Sequence, residues 1–488
     1  MNSFFRKSAL IGLAEILCRL PLIFTVGYLA HSIGTEYFGN WALILAFQVF
    51  IGRLAGLGLS SSMFRYASVC KSSEAGAYLR YAFILCLLPI LVAAALTFIL
   101  SAPIGKLLGL KVELYWLLPM AVLMGAGSIA DSLLDAFLKA RIAIGRQICF
   151  IAARTLIEVA AVVLIFVFAL PFFDETPLRL AAYVSVLVVG KLVIYPGILL
   201  GMTKGDSLPP RDRRYEFLKY GLVMVPVSLV SWLISQSDRL VLSHFVAKSD
   251  LGVYAFGASL AAYIVFLGYA VYPLLVPEAS RLHDGGDVAG VQALFRESQR
   301  LFMLLWSACM ICFALWADHI ILWTGGKGFA GAREAFLILS FAIGVDYVIG
   351  IYQYVFNVVK RPDRILWLNL AHAAMIMGGV AIAGSTLGIA LAPWAVLGAT
   401  LTFNIIQYRI ARRHIPLPVR GVLVAQIIAL AVLTVLLARY SADWNELLRL
   451  AITGVVVLLS ASVALRRRMD PSSARSSELS NPMKETAL

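Results

Sequence analysis

His31-Ser32-Ile33-Gly34-Thr35-Glu36-Tyr37-Phe38-Gly39 ends one apolar run and opens the next, and 213 residues later His244-Phe245-Val246-Ala247-Lys248-Ser249-Asp250-Leu251-Gly252 stands in the same slot. Each turn leads into an apolar helix that runs back to an arginine, Arg65 at 26 residues from Gly39 and Arg281 at 29 residues from Gly252. The shared slot and similar helix length predict an internal duplication. A membrane-spanning helix needs about 20 residues to cross roughly 30 Å of hydrocarbon. Apolar runs of that length fall near 9–30, 41–63, 80–101, 114–138, 148–171, 179–201, 219–244, 253–276, 301–323, 334–358, 365–384, 387–408, 419–439 and 447–465, fourteen in all. Six spans separate the two turns. That even number makes the repeats parallel, related by an axis along the membrane normal.

Composition agrees with this plan. The chain of 488 residues is 61% hydrophobic and only 14% charged, against roughly 25% charged in a soluble protein, which excludes an ordinary soluble enzyme. The net charge of +14 is not a nucleic-acid signal, because the basic residues sit between apolar runs instead of forming a stripe. Of the 41 Lys and Arg, 28 fall on one set of alternate loops and termini, 8 on the other set and 5 inside spans. The positive-inside rule therefore places both termini in the cytoplasm. The short outer loops argue against a receptor, a large adhesin or an extracellular catalytic domain.

Six cysteines are scattered through or beside apolar runs and imply no disulfide framework. Cys309 and Cys312 form a C-x-x-C inside an apolar helix with no flanking base, which reads as packing. The first apolar run carries Glu15 and Arg19 and reads as a retained span, not a cleaved signal peptide. The polar linker 202–216 separates a six-helix lobe over 1–205 from a second over 206–415. An added helix pair follows at 416–466 and a disordered cytoplasmic tail at 467–488. A polar stretch near 283–300 is expected to hold a short surface helix presenting Arg296 and Arg300 to phospholipid headgroups.

Charges inside spans are costly, about 2.5–3.5 kcal/mol at mid-membrane on the insertion scale, so they face protein or a water-filled cavity. Glu15 and Arg19, and Arg154 and Glu158, are four residues apart and can pair on one helical face. Arg53 has no acid at helical spacing and is a candidate cavity cation, as are Arg19, Arg154, Arg239 and Lys191. Asp131 and Asp135 share a face of the fourth span and, with Glu15, Glu158, Asp238 and Asp346, are candidate coupling or counter-charge acids. Structural ion pairing is the competing reading for each. Asp318, near the end of the ninth span, reads as an ordinary partner charge, and Trp232 is a candidate aromatic near the cavity. Arginine forks suit phosphate oxygens, so a cavity gathering Arg19, Arg53 and Arg154 would attract a pyrophosphate headgroup. No catalytic residue, metal site or phosphate-binding glycine loop is read from the sequence.

Several of these segments resemble the polysaccharide-exporter branch of the multidrug/oligosaccharidyl-lipid/polysaccharide (MOP) superfamily, which includes O-antigen-repeat flippases. The resemblance rests on Gly34-Thr35-Glu36-Tyr37-Phe38-Gly39, on Gly56-Leu57-Gly58 before Arg65-Tyr66, and on Ser237-Asp238-Arg239 followed by Leu251-Gly252-Val253-Tyr254. Tyr272-Pro273 through Pro277 before Arg281 completes it. It implies an all-α integral membrane protein with two parallel six-helix bundles, MATE-like, plus a C-terminal pair. It also implies movement of an undecaprenyl-pyrophosphate-linked oligosaccharide from the inner to the outer leaflet of the bacterial plasma membrane. The expected partners are that lipid-linked oligosaccharide, bilayer lipid, and a polysaccharide polymerase with its chain-length machinery; no nucleic acid is expected. No cofactor is expected, and a proton or sodium ion is the candidate drive. A lipid-linked peptidoglycan-precursor flippase and a cation-coupled multidrug or metabolite exporter remain as alternatives that share the two-lobed form.

Overall fold

Gly34 decides how the first two spans are joined. It holds φ 78° and ψ 169°, a conformation open to a residue without a Cβ, so both apolar runs lie on one bent element, α1 (Asn2–Ala55). The computed structural model describes residues 2–70, 72–141, 143–168, 175–202, 208–271, 275–359, 361–386, 388–416, 421–441 and 444–468. Among these, every regular element is helical. After α1 come α2 (Leu59–Val69), α3 (Ser72–Ile99), α4 (Ser101–Leu107), α5 (Leu117–Ala140), α6 (Ile144–Val162) and α7 (Thr176–Met202). Then follow α8 (Arg211–Leu242), α9 (Lys248–Ala261), α10 (Val265–Val271), α11 (Leu275–Asp284), α12 (Val288–Thr324) and α13 (Ala332–Gly350). The chain continues through α14 (Tyr354–Val358), α15 (Pro362–Thr386), α16 (Ala392–Ala411), α17 (Gly421–Tyr440) and α18 (Glu446–Arg468).

Hydrocarbon offers no hydrogen bonds, so a spanning segment must satisfy its own backbone, and these Leu-, Ala- and Val-rich runs do so as helices. Pro21, Pro89 and Pro226 lie inside α1, α3 and α8, interruptions that membrane helices tolerate. Large apolar side chains such as Leu88 (69% exposed) and Phe98 (73%) point outward, a surface suited to lipid and not to water. The protein is a multi-pass membrane protein.

Among the described residues, twelve helices are long and apolar enough to cross a membrane, against an expectation of fourteen spans. The difference lies at two places. The run 9–30 and most of the run 41–63 share the bent α1, the latter ending in α2, and the last expected span falls in α18, whose 23 residues end in Arg466-Arg467-Arg468. The short turn expected between the eleventh and twelfth spans separates α15 from α16, with Gly388 at φ 73°. The surface helix expected near 283–300 is corrected. Asp287 caps α12 by accepting from the Gly290 N–H at 2.7 Å, and Arg296 and Arg300 belong to the opening turns of that 37-residue helix. The expected tail falls mostly at 469–488, outside the described residues.

α1 packs on α5 and α6, and α5 on α3 and α7; α8 packs on α15, α13 on α9 and α16, and α15 on α16. α17 and α18 both lie against α12. The first group meets the second chiefly where α1 crosses α9. There a Cβ built on Gly39 would collide with the Lys248 carbonyl and sit 3.0 Å from Gly252 N, while one on Gly252 would collide with the Thr35 carbonyl and sit 3.0 Å from Gly39 N. The two glycines of the repeated turn are thus each other's neighbours across a local two-fold. Phe38, Phe256 and Phe329, all buried, fill the same corner with centroids 4.7–5.8 Å apart.

A second crossing joins α2 to α8. Gly58 (φ 64°) approaches the Gly221 carbonyl, and Ser62 Oγ donates to the Phe217 carbonyl at 2.8 Å. Between these crossings, Trp232 Nε1 on α8 donates to the Ala46 carbonyl of α1 at 2.9 Å, and its ring lies 4.8 Å from that of Phe50.

Candidate functional site

α5, α6 and α7 each turn a charged face toward one point. Asp131 on α5 is buried; one of its oxygens is 2.6 Å from Lys191 Nζ of α7, and the other accepts from the Tyr195 hydroxyl one turn further on. Lys191 reaches across α5 because Gly127 stands where a Cβ would fall 2.7 Å from the lysine Cδ. Arg154 on α6 lies 3.3 Å from Glu158, one turn along, and 3.9 Å from Asp131. Two cations and two carboxylates therefore balance in one network. The side chains of Asp131 and Lys191 are 8% and 9% exposed. Removing one member of such a buried pair typically costs about 3–5 kcal/mol, since the other is left uncompensated.

Asp135, one turn beyond Asp131, is taken up differently: Lys139 Nζ is 2.7 Å away and Gln147 Nε2 donates to it at 2.6 Å. Arg19 and Arg154 do meet, on a cavity of about 10 Å³ with Asp135, Phe150 and Thr155, room for about one water. Arg19 also stacks its guanidinium 4.5 Å from the centroid of Phe266 on α10. Arg53 does not line that cavity. It is exposed on α1 and makes no ion pair among the described residues. The side chain of Glu15 falls outside the described residues.

Arg239 donates to Gln236 at 3.3 Å. Asp238 accepts from its neighbour's backbone N–H at 2.8 Å and from the buried Tyr254 hydroxyl at 2.7 Å, tying α8 to α9. Asp318 pairs with Arg333 at 3.0 Å. Cys309 and Cys312 are free thiols within α12.

The larger cavity lies among the later helices. It measures about 340 Å³ and is lined from α8 by Ser231, from α13 by Asp346 and Tyr347, from α15 by Asn369 and His372, and from α16 by Phe403 and Gln407. Asn404 Nδ2 donates to Asp346 at 3.0 Å, and Gln407 Nε2 to the Gly350 carbonyl at 3.1 Å. His372 stacks on Phe403 with centroids 4.1 Å apart and planes 4° apart. Of these residues only Asp346 was singled out from sequence. Thr400, Asn404 and Gln407 recur at helical spacing in an otherwise apolar run, a pattern that marks a polar stripe. None of the three carries a charge.

With this geometry in hand, comparison with known proteins gives a consistent picture. A family model described as polysaccharide biosynthesis protein matches residues 4–283. Lsg locus protein 1 of Haemophilus influenzae is 24% identical over 149 residues, covering 30% of this chain and 36% of that protein, so the match spans about a third of that relative's length. The fold is similar to lipid II flippase MurJ in an inward closed conformation (TM-score 0.67, 13% identity, 94% of this chain and 100% of that one). It is also similar to an inward-facing MATE-family multidrug resistance transporter of the MOP superfamily (0.66, 15%, 87% and 99%). A MOP-superfamily transporter from Pyrococcus furiosus gives 0.55 at 15% identity, over 88% and 96%. At these identities the likeness is one of fold.

Proposed function

Because this chain belongs to the polysaccharide biosynthesis protein family, we propose that it is a flippase. It moves an undecaprenyl-pyrophosphate-linked oligosaccharide from the inner to the outer leaflet of the bacterial plasma membrane by alternating access. The family match over 4–283 carries this reading, and the transporter fold supplies a means. A charged, hydroxyl-rich headgroup cannot cross hydrocarbon unaided. Helix groups that rock about a shared contact can offer it fixed donors from one side and then the other. Gly39 against Gly252 is such a contact, and the bare backbone there lets the helices close without side chains between them.

Pyrophosphate binding falls to the embedded cations. Arg53 is exposed, and Arg154 shares its charge with two carboxylates across distances of 3.3 and 3.9 Å, so an arriving anion can compete for it. Lys191, buried and held at 2.6 Å, orders the network and leaves binding to the arginines. No covalent step is required. Transport is driven by a proton, a sodium ion, the membrane potential or downstream consumption of the product, and both termini stay in the cytoplasm.

Purified protein in lipid nanodiscs should bind a pyrophosphate-linked oligosaccharide and be competed by the bare prenyl pyrophosphate, but not by organic cations such as ethidium. Binding of the cations instead would replace this reading with that of a drug exporter.

A further inference from the structure

The 340 Å³ cavity among α8, α13, α15 and α16 is not used by the pyrophosphate chemistry above. It lies within the roughly 300–1,000 Å³ range of small-molecule sites. Among the described residues its lining carries one carboxylate, Asp346, and no lysine or arginine, so it offers a phosphate no countercharge. What it presents is neutral and polar: Ser231, Gln353, Asn369, His372, Gln407 and two tyrosines.

The orientation of the amides is fixed by their neighbours. Asn404 spends its nitrogen on Asp346 and on the Thr400 carbonyl, each at 3.0 Å, and Gln407 spends its nitrogen on the Gly350 carbonyl. Their oxygens are left over. Asn404 Oδ1 and Gln407 Oε1 are buried acceptors with no hydrogen-bond partner among the described residues, on side chains of residues 0% and 1% exposed. A buried acceptor without a donor is costly, and Gln407, the one of the two that lines the cavity, calls for a ligand rich in O–H groups. Gln353 and Asn369, hydrogen-bonded to each other at the same cavity, add a second amide pair with unused donor and acceptor capacity.

We infer that this cavity holds sugar rings of the lipid-linked substrate through Gln407, Asn369 and Asp346, with Asn404 holding Asp346 from behind, while the arginines of the first helices hold the pyrophosphate. The inference rests on the flippase reading and divides the substrate between two chemistries: an anion on the cationic side and neutral hydroxyls on the amide side. Ser231 brings the cavity to α8, which contacts α1 through Trp232, its neighbour in sequence, and Arg19 and Arg53 both lie on α1.

The test uses proteoliposomes of the full chain with two probes, prenyl pyrophosphate bearing no sugar and the same lipid bearing a trisaccharide. Gln407→Leu and Asn369→Leu should each slow transport of the glycosylated lipid by about three- to tenfold, the loss of one or two hydrogen bonds, and leave the bare lipid unchanged. Ser231→Ala, at an exposed position that does not threaten folding, should shift the same ratio in the same direction by a smaller factor. An equal loss for both lipids, in variants that elute as folded monodisperse protein, would assign the amides to structure or to a cation and overturn the sugar site. Competition by organic cations that is relieved in Gln407→Leu would also overturn it. Failure of the wild type to move either lipid would instead remove the flippase reading, and the sugar site with it.

Discussion

Gly39 and Gly252 lie backbone to backbone where α1 crosses α9, and the carbonyl that fills each glycine's Cβ position comes from the residue four places before the other, Lys248 for Gly39 and Thr35 for Gly252. The reciprocity is that of a two-fold relating equal positions of a repeat, and it places a contact without side chains at the crossing. Gly39→Ala and Gly252→Ala should each force the helices apart at a cost of about 1–3 kcal/mol, the usual price of overpacking. The double substitution should cost less than the two together, since one displacement relieves both clashes. Thermal unfolding in detergent measures this. Unchanged midpoints would mean the crossing is loose and not a fixed pivot.

Asp131 and Lys191 should behave as a unit. Lys191→Met leaves a buried carboxylate with only Tyr195 and, at 3.9 Å, Arg154 for company, and should destabilise by about 3–5 kcal/mol. Asp131→Asn combined with Lys191→Met should recover much of that loss. Chemical unfolding of the three variants decides it; a double variant as unstable as Lys191→Met would show that the pair contributes nothing as a pair.

How far these features could be read from the residues depends on their separation along the chain. The repeated glycine turn, the apolar runs and the Arg154–Glu158 pair are local or periodic, and a sequence displays both. Asp131 and Lys191 are 60 positions apart on different helices, so each was visible as an embedded charge while their partnership was not. The sequence points Asp131 and Asp135 toward Arg154 or Arg19; Asp135 shares a small cavity with both arginines, but its countercharge is Lys139 and its hydrogen-bond donor Gln147, neither of them one of the mid-span charges. The amides of the larger cavity were missed because a neutral Asn or Gln in an apolar run carries little weight beside a lysine or aspartate. Their meaning lies in which atom of each amide is already occupied, and only the packing shows that.

Arg53 separates binding from folding. It is exposed and without an ion pair among the described residues, so Arg53→Ala should change stability by no more than about 0.5 kcal/mol. If it grips a pyrophosphate, transport should fall by about 10- to 100-fold, the scale of a lost charge-assisted hydrogen bond. Normal transport with normal stability would remove Arg53 from the site.

The distribution of basic residues makes a topological prediction. A single cysteine at Arg213, in a background lacking the six natural ones, should react with a membrane-impermeant maleimide only in inside-out vesicles. One at Lys327 should react only in right-side-out vesicles. The reverse pattern would invert the direction assigned to transport.

The most direct measurement is a leaflet-resolved assay in proteoliposomes carrying a pyrophosphate-linked oligosaccharide, with a lectin or glycosidase outside reporting each molecule that arrives. Wild-type protein should expose the inner pool of glycolipid far faster than protein-free liposomes, and Arg53→Ala should slow that exposure while leaving the protein folded. Exposure no faster than in protein-free liposomes, alongside measurable efflux of organic cations by the same preparation, would contradict a lipid-linked sugar as the cargo.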